Sequence, residues 1–184
     1  LIRLDLESLE YVPSLAKELA EISKDGLRYT FELRDDIRWD DGSPISAEDV
    51  LFTTKLQLCP LTDNAQIRGN YTSVIKSIEI DKENPRRFTM IAKDKHVSNA
   101  TIFSEIWIQQ KAYWDSTGIL DDLTFEDIHA TNFKEKESWS EWFNHFNHGD
   151  NRYKPNNLVG LGPYQVSEWE TGSYITVTKK ENWW

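Results

Sequence analysis

One cysteine, Cys59, is all the thiol this chain has, so no disulfide can close within it. That suits a reducing compartment and equally an exported protein that does without disulfides. No apolar run reaches the length needed to cross a bilayer. No secretory leader is visible in these residues, and from the opening at Leu1 an excised piece of a longer protein is expected. Positive charge is scarce too: 21 Lys and Arg stand against 31 Asp and Glu, a net charge of −10. Phosphate backbones and anionic membrane surfaces both need a basic face, which excludes nucleic acid and acidic lipid as partners. The acidity itself serves solubility. No G-x-x-x-x-G-K-[ST] run occurs, so a P-loop is ruled out. Gly160-Leu161-Gly162 lacks the third glycine of a dinucleotide fingerprint, because Gln165 stands in its place. The chain has no internal repeat and no low-complexity tract.

What is present suits one domain, or one and a piece: 184 residues, 39% of them hydrophobic. A chain of this size buries roughly 70% of its unfolded surface, enough for a real core. Its most regular stretch runs over residues 25–50. Asp25-Gly26 reads as a turn, and then Leu27, Tyr29, Phe31 and Leu33 alternate with Arg28, Thr30, Glu32 and Arg34. An unbroken period of two means one wet and one buried face, hence a strand. Trp39-Asp40-Asp41-Gly42 is a second turn signal. Ser46, three residues before Asp49 and followed by Val50-Leu51-Phe52, predicts a capped helix start.

Elsewhere the patterns are weaker. Leu15, Leu19 and Ile22 are spaced as a short helix after Pro13, although 20–23 also reads as extended. The helix from Ala47 is expected to end near Leu58, since Pro60 disfavours helix at Cys59. Residues 61–70 read as irregular. Val74, Ile78 and Ile80, a turn at 81–85, and Phe88-Thr89-Met90-Ile91 predict a hairpin. Residues 99–107 fit a helix or a strand. Residues 115–131 are acidic and turn-rich. Trp139, Trp142, Phe143 and Phe146 recur at three and four over 134–148, an amphipathic helix, with a loop over 149–157. Residues 164–166 and 174–178 read as strands joined at Thr171-Gly172.

Two ordered blocks carry a family resemblance. The first is Leu15-Ala16, Asp25-Gly26, Tyr29-Thr30-Phe31-Glu32-Leu33-Arg34, Trp39-Asp40-Asp41-Gly42-Ser43-Pro44 and Ala47-Glu48-Asp49-Val50. The second is Gly160-Leu161-Gly162-Pro163-Tyr164, Glu168-Trp169-Glu170-Thr171-Gly172 and Asn182-Trp183-Trp184. Together they resemble extracellular solute-binding protein family 5, the peptide- and nickel-binding receptors of ABC importers. The resemblance implies a mixed α+β fold, periplasmic-binding-protein type II-like and partial. Residues 1–110 would be an extra α+β domain inserted in the first lobe, 111–157 a helical and loop connection, and 158–184 strands re-entering the first lobe. The second lobe would be absent. It further implies a receptor for peptide or another small molecule, with oligosaccharide as one alternative solute. That receptor would be periplasmic or extracellular, lipid-anchored in its full form, partnered by an ABC permease, and free of catalysis and cofactor. Residues 174–184 are expected either to fray or to make a contact between copies of the chain.

The residues that could contact a ligand are Gly160, Leu161, Gly162 and Tyr164, with Trp107 and Trp114 as the aromatics least committed to a core. The two glycines would let a backbone approach closely. Leu161 stands where the family usually carries a small hydroxyl residue, so no hydroxyl contact is carried over. A different class of function would use His145, His148 and Asp150 as the metal ligands of a hydrolase. Zinc needs three or four ligands, however, and Gly149 breaks the helix before Asp150, so a solvated helix end is the plainer reading. Cys59 has no base near it in sequence and reads as a small buried hydrophobe rather than a nucleophile. Asn70-Tyr71-Thr72 and Asn99-Ala100-Thr101 fit a glycosylation sequon, which in a bacterial type of chain is coincidence.

Overall fold

The computed structural model describes residues 1–148, 159–181, 183 and 184. Its elements in order are β1 (Ile2–Leu4), β2 (Tyr11–Pro13), β3 (Glu21–Ile22), β4 (Arg28–Glu32), α1 (Ala47–Leu58), α2 (Ala65–Thr72), β5 (Ile75–Ile80), β6 (Arg87–Ala92), α3 (Asn99–Ser104), α4 (Lys111–Trp114), α5 (Phe125–His129), α6 (Glu137–His148), β7 (Tyr164–Glu170) and β8 (Tyr174–Lys179). The alternation over 27–33 does what alternation does on a half-buried sheet. Tyr29, Phe31 and Leu33 are buried, while Arg28 and Thr30 lie on the other face. β4 is a central strand of a four-stranded antiparallel sheet in the order β3-β4-β6-β5. Phe31 stands opposite Phe88, with stacked rings 5.6 Å apart. Tyr29 meets Phe103 of α3 edge to face at 5.0 Å.

Helix α1 lies against this sheet and also touches α2, α4 and α5. Its start is the capping box the sequence predicts. The Ser46 N–H donates to Asp49 Oδ2 at 2.9 Å, and the Ser46 hydroxyl reaches the same oxygen at 3.2 Å. Its end is at Leu58, with the Cys59 N–H closing on the Lys55 carbonyl at 2.9 Å. Thr53 and Thr54, both buried, return their hydroxyls to carbonyls one turn back. Lys55 is buried as well. Its ammonium donates to the Leu120 and Asp121 carbonyls at 3.0 and 3.2 Å, and desolvation holds its pKa below the ordinary lysine range. One core therefore joins the sheet, α1 and the helices after it: Leu120, Leu123, Ile128, Trp139 and Phe143 are buried in the same cluster as Phe31 and Phe88. The Cys59 thiol lies within it, fully buried, its pKa pushed up to about 11 by desolvation. Replacing Ser46 by Ala removes one cap contact but leaves the backbone bond; a loss of about 1 kcal/mol is expected in a urea melt.

Three expectations are corrected. Residues 15–19 form no helix, because Ala16 bridges to Leu33 and the Leu15 carbonyl accepts the Arg34 N–H, so this segment extends the sheet edge into β3. Residues 65–72 are helical rather than irregular: the Arg68 N–H closes on the Asn64 carbonyl and the Thr72 hydroxyl on the Arg68 carbonyl. The helix expected over 99–107 stops at Ser104, and Trp107 lies beyond it in irregular chain. Asn99 is buried, donating to the Asp94 carbonyl at 2.8 Å, which removes it as a modification site. The β7–β8 hairpin is as expected, longer at β7, with a bulge between Val166 and Glu168.

Candidate functional site

The turn at 39–42 is the pivot of the surface features. Gly42 takes φ 82°, a left-handed conformation other residues adopt at a cost. The Gly42 N–H returns to the Trp39 carbonyl and the Trp39 N–H to the Ser43 carbonyl, both at 2.9 Å. From below, Asp49 holds the turn and the start of α4 together. Buried to 5% exposure, its carboxylate accepts from the Ser46 N–H, from the Trp39 indole at 3.3 Å and from the Lys111 N–H at 2.9 Å. Gln110, also buried, donates to Asp41 at 2.7 Å and to Ser43 at 3.0 Å. Lys111 pairs with Asp121 at 2.6 Å.

Two open clefts, each of about 390 Å³, flank this turn. One lies toward α4, between Ser46, Gln110, Lys111 and Asp115. The other lies toward the β7–β8 ribbon, between Arg38, Asp40, Gln165, Lys179, Trp183 and Trp184. Trp39 lines both. At the second cleft the Gly160 N–H donates to Asp40 Oδ2 at 3.0 Å, and the Lys180 ammonium bonds both the Asp40 carboxylate and, at 3.2 Å, the Gly160 carbonyl. The Trp183 indole donates to the Leu161 carbonyl at 2.9 Å. Trp184 packs against Trp183 and lies under the Arg34 guanidinium at 5.2 Å.

The candidates read from sequence do not all gather here. Gly160, Leu161, Gly162 and Tyr164 form and follow the loop beside the second cleft, and Tyr164 is exposed. Trp107 is 83% exposed and lines neither cleft. Trp114 is half-buried: its ring meets Tyr113 and Phe146, its indole donates to Gln109 at 3.1 Å, and its carbonyl accepts the Trp142 indole. His145 and His148 are exposed on the last turn of α6, and Asp150 lies outside the described residues. Among the described residues no group of three or more His, Cys, Asp or Glu could hold a metal ion. Sequence reading missed Asp40 and Lys180 as partners of the glycine loop. Asp40 sits in the turn that reading singled out, but nothing local ties it to a residue 120 positions on.

Neither Gly160 nor Gly162 is at positive φ, and a Cβ at either would meet nothing within 4 Å. Internal packing therefore does not require glycine there. Gly160→Ala and Gly162→Ala are expected to leave stability within about 0.5 kcal/mol of the parent in urea melts. Loss of ligand binding in either stable variant would assign the open space to a ligand.

Helices thus layer on an antiparallel sheet, with two open clefts beside a braced turn. The chain belongs to the family described as bacterial extracellular solute-binding proteins, family 5 middle, whose model matches residues 10–184. It is 26% identical to the oligopeptide-binding protein AppA of Bacillus subtilis over 177 residues, 96% of this chain and 27% of AppA. Among solved structures, NikZ from Campylobacter jejuni in complex with Ni(L-His) superposes with a TM-score of 0.67 at 29% identity. B. subtilis AppA in complex with a nonapeptide superposes at 0.66 and 25%. Each superposition takes in 100% of this chain and 30% of the other. The chain thus spans under a third of these relatives' length, and its mixed helix and sheet is the fold of part of a family 5 periplasmic binding protein.

Proposed function

We propose that this chain is part of a receptor that captures a peptide, or another small solute, for an ABC importer and does no chemistry on it. The observation that carries this is the family match over residues 10–184, reinforced by the fit of the whole chain to AppA holding a nonapeptide. In this reading the receptor works in the periplasm or outside the cell, held by a lipid anchor in its full form, and delivers its solute to a permease. Residues 160–164 face the solute, and Trp107 is an outlying aromatic contact. Residues 1–110 make up the extra domain of the first lobe, and 158–184 re-enter that lobe. The shared core draws residues 111–148 into the same body as 1–110. Copies of this chain meet through 174–184, where every residue of β8 is exposed.

Native mass spectrometry of the longer protein, incubated with a pool of short peptides, tests the proposal. Adducts of peptide mass, with the peptides recovered intact, are expected. Cleaved peptides together with stoichiometric zinc would overturn it in favour of a hydrolase using His145 and His148. A peptide-free protein that takes up an oligosaccharide would move the reading to another solute.

A further inference from the structure

The β7–β8 ribbon stands outside the four-stranded sheet. Among the described residues its two strands pair only with each other, as β1 and β2 do, and all six residues of β8 are exposed. Within the ribbon Val166 stands opposite Val177 and Trp169 opposite Ile175. At its base Val159, Leu161 and Trp184 pack against the core cluster, and a ring of polar contacts joins the ribbon to the body beside them. Asp40 of the braced turn accepts the Gly160 N–H with one oxygen and pairs with Lys180 through the other. The same Lys180 ammonium bonds the Gly160 carbonyl at 3.2 Å, and the Lys180 N–H bonds the Pro163 carbonyl at 2.9 Å. Both ends of the ribbon, residue 160 before β7 and residue 180 after β8, are thus tied to one carboxylate. The Lys180 side chain is only 14% exposed, which shields the pair from water and salt more than a surface ion pair.

We infer that Asp40 is a positioning residue: with Lys180 and Gly160 it forms a clasp that sets where the 160–164 loop and the ribbon stand relative to the body. This rests on the reading of 160–164 as solute-facing for its functional meaning, but not for its geometry. The apolar contacts of Val159, Leu161 and Trp184 hold the base of the ribbon irrespective of salt. A charged clasp gives it a position that opens when the charge pair is lost while the core stays closed.

Amide exchange followed by NMR tests this residue by residue. In the parent chain the Gly160 N–H and the Trp183 indole N–H are expected to be protected. In Asp40→Ala both should exchange about tenfold faster, with Phe31 and Met90 of the core sheet unchanged. Lys180→Met should accelerate Gly160 similarly, and the double variant should be little worse than either single one, since the three groups act as one unit. If Asp40→Ala does not fold, Asp40→Asn and Lys180→Gln, which keep shape and remove charge, carry the same test. Unchanged exchange at Gly160, additive effects, or equal acceleration across β4 and β6 would each overturn the clasp. Calorimetry of the longer protein with a mixed pool of short peptides separates the two claims. A clasp variant whose loop opens but whose affinity is unchanged leaves the clasp standing and sinks the solute-facing reading of 160–164.

Discussion

Replacing Asp49 by Ala is expected to destabilise the chain by about 3 kcal/mol or more, the largest effect of any single polar substitution in it. Three N–H groups from three parts of the chain end on this one carboxylate: the Trp39 indole, the Ser46 backbone and the Lys111 backbone. Trp39 is itself buried at 3% exposure, so water does not readily replace the lost acceptor. Each buried donor left without a partner costs about 1–3 kcal/mol, and the helix also loses its cap. Asp49→Asn keeps one carbonyl oxygen but turns an NH₂ toward the other donors, and about 2 kcal/mol is expected. Urea denaturation checks both through a lower midpoint at an unchanged slope. A loss below about 1 kcal/mol for the alanine variant would mean that the turn at 39–42 and the start of α4 do not depend on this residue.

The second large effect concerns binding. The 184-residue chain by itself is expected to hold short peptides at a dissociation constant of about 1 mM or weaker, against roughly 1 μM or better for the longer protein. Well-formed ligand sites bury about 70–90% of the ligand surface. Both clefts beside the 39–42 turn are open, and the chain covers 30% of the length of the AppA that holds a nonapeptide. An open half-site gains part of the buried area while the association and ordering costs remain several kcal/mol. Calorimetry with a mixed peptide pool on both proteins decides it. Micromolar binding by this chain would place the entire site within its own residues, with the cleft between Arg38 and Trp183 the first place to look.

Local chemistry was legible in the sequence where it was periodic or punctuated. The alternation at 27–33 gave β4, Ser46 and Asp49 gave the start of α1, Pro60 its end, and the aromatic spacing at 139–146 gave α6 with Trp139 buried. The β1–β2 pair went unread because three-residue strands joined by an acidic turn show no period to detect. α2 was missed because its apolar face is only Ile67 and Tyr71, too short a pattern to detect; none of its residues is fully buried. The segment at 15–19 misled for the opposite reason: Leu15 and Leu19 have helical spacing, but sheet bonds from Leu33 and Arg34 claim its backbone. At the candidate site the glycine loop was visible as a pattern. What fixes it was not, because Asp40 reaches residues 120 and 140 positions away and no local window spans that distance.

The burial of Cys59 has a practical side. A thiol with a pKa of about 11 is ionised to roughly one part in ten thousand at neutral pH, and this one is also closed to reagents. Maleimides and spin labels should pass it by, so the native chain behaves as though it were cysteine-free. Cysteines introduced at exposed Thr176 on the ribbon and exposed Lys24 on the body would then be the two reactive sulfurs in the molecule. A pair of probes placed there reads the angle between ribbon and body as a distance, with no sulfur to remove from the core beforehand.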